Sequence, residues 1–405
     1  MKKSRIAVAI AASTMLSAPA FATNGDHLIG LGAQARAMGG TGTAAYFGSE
    51  NALSNPALLG KSQGSEFAIG GTLFMPKVKA ERSMGGGTSF SETSDADQSI
   101  IPEVSMYNRI NDNWTFGLGM FGTAGMGVDY SDSDDLFNAT SNLELMRFAP
   151  TMAYNNDRFG FGLGPVLQYG ALDLNYTNPM TDENEGSGVA NDLQWGFNLG
   201  GYYDVTPDLT LGMAYQSAIS MEYGDQITGA ADGFGIGPDG MAVITSNKLE
   251  QPAEIKVGVA YNLNNWLLSA DYKQIQWGKA EGYKDFNWQD QDVYAIGARY
   301  NGNNYWVGLG YNYGKDPIKV LGGNAYEDQA VDMFNNHFFP AVVEQHFTLG
   351  GGYKIGKKTT IEGAIVYAPE VSKEIDVSAV TGAPDSTHEV KHSQMSYTFS
   401  VRMNF

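Results

Sequence analysis

Ionisable side chains set at alternate positions among apolar ones are the first groups here whose types and spacing could do chemistry. Arg147, Lys256, Asp271, Lys273, Arg299, Glu344 and Arg402, with His346, occupy such positions. In a strand, alternation puts charge on one face and hydrocarbon on the other. Groups of this kind can pair with one another or hold a substrate carboxylate, and here they are expected to form ion-pair networks. Glu344 and His346, two residues apart, would share a strand face and could begin a hydrolytic site, with serines of the last strand nearby. A hydrolase needs nucleophile, base and oxyanion donors to converge, and only a pair is in evidence. No catalytic residue is assigned.

Two acidic runs could bind Ca²⁺: Asp129, Asp132, Asp134 and Asp135, and Asp182-Glu183-Asn184-Glu185. Neither has the spacing of an EF-hand loop, so both are read as solvated external loops and no metal is assigned. Gly30-x-Gly32 followed by Ala35 imitates a dinucleotide fingerprint, but no strand precedes it and no βαβ unit follows, so no cofactor is expected. The chain has no Cys, which excludes disulfides and thiolate metal sites. A formal net charge of −19 argues against nucleic acid as a partner.

The elements that position these groups are strands. From Met395 to the terminus, Met395, Tyr397, Phe399, Val401, Met403 and Phe405 alternate with Gln394, Ser396, Thr398, Ser400, Arg402 and Asn404. Period two ending on Phe suits a barrel-closing strand, apolar toward lipid and polar toward the lumen. The same pattern recurs around Trp114–Met120, Phe159–Tyr169, Trp195–Tyr203 and Tyr294–Tyr300. Six short Asn/Asp/Gly/Pro/Lys turns, at 111–113, 155–157, 206–208, 262–265, 301–303 and 356–358, alternate with seven longer polar connections. The longer ones lie at 82–98, 128–141, 177–191, 223–248, 278–290, 315–341 and 374–391. Together they predict an all-β fold: a fourteen-stranded antiparallel transmembrane β-barrel with both ends on the short-turn side.

Residues 1–22 read as a signal peptide. Lys2, Lys3 and Arg5 precede a short apolar stretch, and Ala20-Phe21-Ala22 supplies the cleavage site. Residues 23–62 do not alternate; Gly39, Gly40 and Pro56 interrupt any long helix. They are expected to form an N-terminal plug, with residues 63–405 forming the barrel.

Gly30-Leu31-Gly32, Ala37-Met38-Gly39-Gly40 and Asn55-Pro56-Ala57 before the first strand, with Pro102–Tyr107, Asn111–Gly117 and Leu143-Glu144-Leu145, carry a family resemblance. The sequence resembles the outer-membrane transporters of long-chain fatty acids and aromatic hydrocarbons, over the whole mature chain. The resemblance implies a small N-terminal hatch, an internal apolar pocket, and a third strand kinked inward so that substrate leaves sideways into the membrane. The third strand, Trp114 to about Tyr130, loses its alternation after Met120, and Phe121, Gly122, Gly125 and Gly127 are the positions a kink would use.

A hydrophobic solute gains little from a water-filled pore, whereas an apolar pocket returns about 25 cal/mol per Å² buried. Leu28, Ile29, Leu31, Met38, Tyr46, Phe47, Phe121 and Val166 are the candidate lining; Phe334, Phe338 and Phe339, exposed-looking aromatics of the longest connection, either form an outer capture groove or cap or pack against neighbouring loops. Fatty-acid members hold the carboxylate with basic groups; the fifth strand has none beyond Arg158 at its turn, which tilts the expectation toward a neutral hydrocarbon. The expected partners are this solute, outer-membrane lipid and lipopolysaccharide, and the protein is expected to be a monomer. A nonspecific porin and, further off, an outer-membrane lipid hydrolase are the other readings.

Overall fold

The structure, a computed structural model, describes residues 23–178, 181–186 and 188–405; the predicted signal peptide lies outside them. The short Asn/Asp/Gly turns force the chain back on itself, so consecutive strands pair antiparallel. The fourteen barrel strands are β1 (Ser65–Ser83), β2 (Ser99–Arg109), β3 (Trp114–Asp129), β4 (Thr140–Asn155), β5 (Phe159–Thr177), β6 (Ala190–Asp204) and β7 (Leu209–Gln216), followed by β8 (Glu254–Leu263), β9 (Trp266–Ile275), β10 (Gln291–Asn301), β11 (Tyr305–Gly314), β12 (Gln345–Ile355), β13 (Thr359–Asp376) and β14 (Thr387–Asn404). A short stretch, Ser89–Thr93, extends the β2 side of the ladder along β1. β14 pairs with β1 from Thr387↔Ser83 to Asn404↔Glu66, which closes the sheet and removes its edges.

Hydrophobicity runs opposite to that of a water-soluble domain. Along β5, Phe159, Phe161, Leu163, Pro165, Leu167 and Tyr169 are exposed while the residues between them are buried. Along β14, Tyr397, Phe399 and Phe405 point outward, and Gln394, Ser396, Thr398, Ser400 and Arg402 are buried inside. Such an apolar outer band is stable only against lipid. No helix among the described residues is long and apolar enough to cross a membrane, so crossing falls to the strands.

The N-terminal segment packs against inward-facing groups from strands all round the ring. It contains α1 (Gly32–Ala37), α2 (Asn51–Ser54) and a 3₁₀ turn, Pro56–Lys61. The Gly39 N–H donates to Thr348 Oγ1 at 2.9 Å, the Asn312 amide to the Gly39 carbonyl at 3.0 Å, and the Gly42 and Thr43 N–H groups to Asp271 at 2.8 Å. Gly39 has φ +71°, and a Cβ there would lie 2.6 Å from the Tyr311 carbonyl oxygen, so only glycine fits this approach to β11. The Asn55 side chain accepts from the Ala57 N–H and donates to the Thr43 and Gly201 carbonyls, while Pro56 lies against Gly200 of β6. Asn-Pro-Ala thus acts as a cap and a docking key for β5 and β6.

The longer connections are more structured than alternation predicts. β7 ends at Gln216, and residues 217–253 continue through isolated bridges, Ile219↔Gln251 and Glu222↔Lys248, and α3 (Gln226–Gly233). The connection after β11 carries α4 (Tyr326–Phe338), and the one after β13 carries α5 (Ser378–Thr381). Their apolar residues form one cluster with Leu53, Phe121, Leu145 and Val166 of the barrel interior.

Candidate functional site

The seam between β2 and β3 is incomplete. Its ladder runs from Arg109↔Thr115 only as far as Glu103↔Phe121, although β2 continues along β1 to Ser99 and β3 continues along β4 to Asp129. β3 carries a bulge between Gly122 and Ala124, and every residue from Phe121 to Val128 is buried. A strand buried on both faces cannot alternate in polarity, which is why the pattern fails there. The N-terminal segment takes up part of the freed edge: His27 bridges to Ala124, and the Gly125 N–H donates to the Asp26 carbonyl at 3.1 Å. The break closes again where the Asp95 N–H donates to the Asp129 carbonyl at 2.9 Å.

Behind this break lies a cavity of about 80 Å³. His27 to Leu31, Ala35, Gly40 to Thr43 and Leu53 of the N-terminal segment line it, facing Thr123, Arg147, Lys256, Asp271 and Lys273. Three cations therefore reach it from β4, β8 and β9. Lys256 pairs with Glu254 at 2.9 Å, and Glu254 also meets His27 Nδ1 at 2.8 Å. Arg147 donates through Nε to Gln168 at 2.8 Å, but its buried Nη2 has no hydrogen-bond partner among the described residues. Burial pushes the Asp26 carboxyl up, against the pull of His27 and of hydrogen bonds from Tyr283 and Gln251.

A second network sits nearer the short turns. Arg402 meets Glu50 at 2.7 Å, Glu66 at 2.5 Å and Glu362 at 3.1 Å. Arg36 of α1 pairs with Glu103 at 2.6 Å, and Gln34 bridges Arg299 to Glu362. Burial raises the Glu50 carboxyl, opposed by Arg402 and reinforced by Glu66 and Glu362. Of the predicted charged residues, Arg147, Lys256, Asp271 and Lys273 therefore surround the cavity, whereas Arg299 and Arg402 join the turn-side network. Glu344 enters neither: it lies one residue before β12, and its carboxylate accepts the Asp316 N–H at 3.1 Å. Glu50, Glu66, Glu103, Glu254 and Glu362 were not singled out; the inward register of Glu66, Glu103 and Glu362 was the available signal.

The apolar candidates separate likewise. Leu28 and Ile29 pack with Phe74, Ile101 and Val366, and Met38 and Phe47 with Ala260 and Leu267. Leu31 packs on the large cluster that holds Phe121 and Val166, and Tyr46 is half-buried against Ala52, Leu58 and their neighbours. Phe334 and Phe338 are not exposed loop residues. They lie on α4, and both they and Phe339 are buried; Phe334 stacks on Phe286 at 4.8 Å. Val331, Phe334 and Phe338 recur at helical spacing, and burying that stripe is what pulls them inward.

A closed sheet with an apolar outer band and a polar, filled interior defines an outer-membrane β-barrel of a Gram-negative cell, crossing the membrane many times. Within that class the chain belongs to the outer membrane protein transport protein family (OMPP1/FadL/TodX), whose family model matches residues 9–405. It is 25% identical over 256 residues to the long-chain fatty acid transport protein of Escherichia coli K12, a match covering 55% of this chain and about half, 56%, of that relative. The corresponding protein of E. coli O6:H1 is 23% identical over 427 residues, covering 91% of this chain and 95% of the relative. In fold, the chain is similar to the Pseudomonas putida toluene transporter TodX, with TM-score 0.68, 20% identity, and coverage of 93% of this chain and 99% of that one. It is also similar to a Pseudomonas aeruginosa FadL homologue, with TM-score 0.70, 16% identity, and coverage of 94% and 100%.

Proposed function

We propose that this barrel takes up hydrophobic small molecules by passive diffusion, with residues 23–62 acting as the hatch. Solute binds in the cavity beside Leu28–Leu31 and leaves sideways between β2 and β3. The observation that carries this reading is the seam that stops pairing at Glu103 and Phe121, directly in front of the cavity. An opening there would let solute pass from an internal pocket to lipid without entering water, keeping the transfer free energy that an aqueous pore forfeits.

Relatives named for long-chain fatty acids and for toluene bracket the substrate class. A β5 without basic groups tilts toward neutral hydrocarbons, but Arg147, Lys256 and Lys273 at the cavity outweigh it. The unsatisfied Arg147 Nη2 supports a solute with a carboxylate head, since a buried guanidinium edge gains a charge-assisted hydrogen bond only when an anion arrives. We therefore favour long-chain carboxylic acids. The test is to incubate the protein with oleate, hexadecane and toluene together and identify what co-purifies. Retention of oleate, reduced in Arg147→Ala, is the expected result; retention of the neutral solutes alone would overturn the carboxylate assignment. Retention of none, with free ion conductance through the intact chain, would favour a porin.

A further inference from the structure

We infer that Ile101 is the shutter of the β2–β3 opening, and that the size of its side chain sets the rate and width of lateral exit. The inference rests on the proposed sideways release and assigns its control to one residue pair.

Ile101 lies on β2 within the stretch that has lost β3 as a partner. Its carbonyl lies against Gly71 of β1, so by strand alternation the backbone of Pro102 faces the break. Proline has no N–H to leave unpaired on such a free edge, so the edge is built to stay unpaired. Ile100 is 56% exposed toward lipid, whereas Ile101 is 2% exposed and turned inward. There it meets Leu28 and Ile29 of the N-terminal segment, with Phe74 and Val366.

Across the break stands Gly122. A Cβ at that position would lie 2.6 Å from Ile101 Cγ2 and 3.7 Å from Pro102 Cδ. The Ile101 methyl therefore fills the space that the missing Gly122 side chain leaves, and together they shut the break. Only a void of about 10 Å³ remains behind Ile101, bounded by Leu28, Ile29, Phe74 and Val366 and too small for solute. Leu28 and Ile29 also line the main cavity, so one thin wall of two side chains separates the bound solute from the shutter. Solute that displaces this wall removes the packing that holds Ile101 inward. Because isoleucine is branched at Cβ, it moves as a stiff unit between few rotamers, which suits a shutter better than a flexible chain.

The experiment uses initial rates of radiolabelled oleate uptake by cells expressing the full-length chain in place of their own transporters of this family. Ile101→Ala should raise the rate about threefold, and Ile101→Trp should lower it about tenfold, while oleate binding to the purified protein stays unchanged. Gly122→Ala should slow uptake, and the double variant Ile101→Ala/Gly122→Ala should recover it, a coupling expected only of residues in contact. Slower migration of unheated samples on gels checks that each barrel has assembled, and Ile101→Val, with a rate between wild type and Ile101→Ala, covers any variant that has not. Wild-type rates in assembled Ile101→Ala and Ile101→Trp would overturn the shutter. Failure of sideways release itself reads differently: uptake would then persist when residues 101 and 122 are covalently joined.

Discussion

Two seams of one barrel behave differently. Between β14 and β1, eighteen residues of each strand face one another without interruption; between β2 and β3, seven do. The closed seam bears Arg402, whose guanidinium meets three carboxylates, two of them on the barrel wall and one, Glu50, on the N-terminal segment. Beside the open seam, Arg147 on β4 has a buried edge with no hydrogen-bond partner among the described residues. Where the wall is complete, Arg402 is held by three carboxylates and serves to anchor. Where the wall is broken, a charge is left free to bind.

The contrast can be broken from either side. Gly70 of β1 sits in the closed seam, and a Cβ there would lie 2.6 Å from the Phe399 carbonyl oxygen and the Ser400 Cβ. Gly70→Val should therefore prevent the barrel from assembling, whereas Gly122→Val should leave an assembled barrel that transports poorly. Migration of unheated samples on gels separates the two, and equal assembly defects would erase the distinction between the seams.

The charges give the next largest effect. Arg402→Ala strands three buried carboxylates and should cost about 3–5 kcal/mol in urea unfolding, the usual penalty for removing one partner of a buried ion pair. Arg147→Ala should cost less, about 1–3 kcal/mol, since a charged hydrogen bond is lost and the buried Gln168 oxygen is left without it. It should also weaken oleate binding about tenfold, equivalent to about 1.4 kcal/mol. A stability loss as large as that of Arg402→Ala would mean that Arg147 is also an anchor.

A smaller effect concerns the outer connection above β3. His337 of α4 contacts the Leu136 carbonyl at 3.2 Å, just beyond β3, and burial pushes its imidazole down to about 4, with the Leu136 hydrogen bond opposing and Arg82 assisting. The unfolded group titrates near 6.5, so below that pH the unfolded segment binds the extra proton. The packing of α4 is thus fully stable above about pH 6.5 and weakens as pH falls toward 4. Amide exchange in α4, corrected for its intrinsic pH dependence, should quicken over that window, and His337→Asn should flatten the change.

The barrel itself was legible because tight turns need Asn, Asp and Gly, and lipid needs every second residue apolar. β14 and β5 follow both rules, and the fourteen strands emerge where the turn clusters predict them. β3 broke the alternation, and Gly122 and Ala124 do flank a bulge, but nothing local to the sequence told which side of the strand had lost its partner. Ile101 was invisible for the same reason: an inward isoleucine next to a proline acquires meaning only when the neighbouring strand departs. The charge networks were half legible. Arg299 and Arg402 could be read from inward register, but their carboxylates lie up to 352 positions away in the chain, and Arg36 and Glu50 sit in a segment with no period to read. For Phe334 and Phe338 polar surroundings left a capture groove and packing between loops both open; their four-residue spacing places them on a helix whose apolar stripe turns inward and packs.

One cross-link tests the central claim most directly. The chain contains no cysteine, so Ile101→Cys/Gly122→Cys introduces a single pair, at a separation suited to a disulfide. Leu73→Cys/Tyr397→Cys, at paired positions on the lipid face of the closed seam, serves as the control. Oxidation should abolish oleate uptake in the first variant and reduction should restore it, while the second should transport equally in both states. Undiminished uptake with residues 101 and 122 joined would contradict release through the β2–β3 seam.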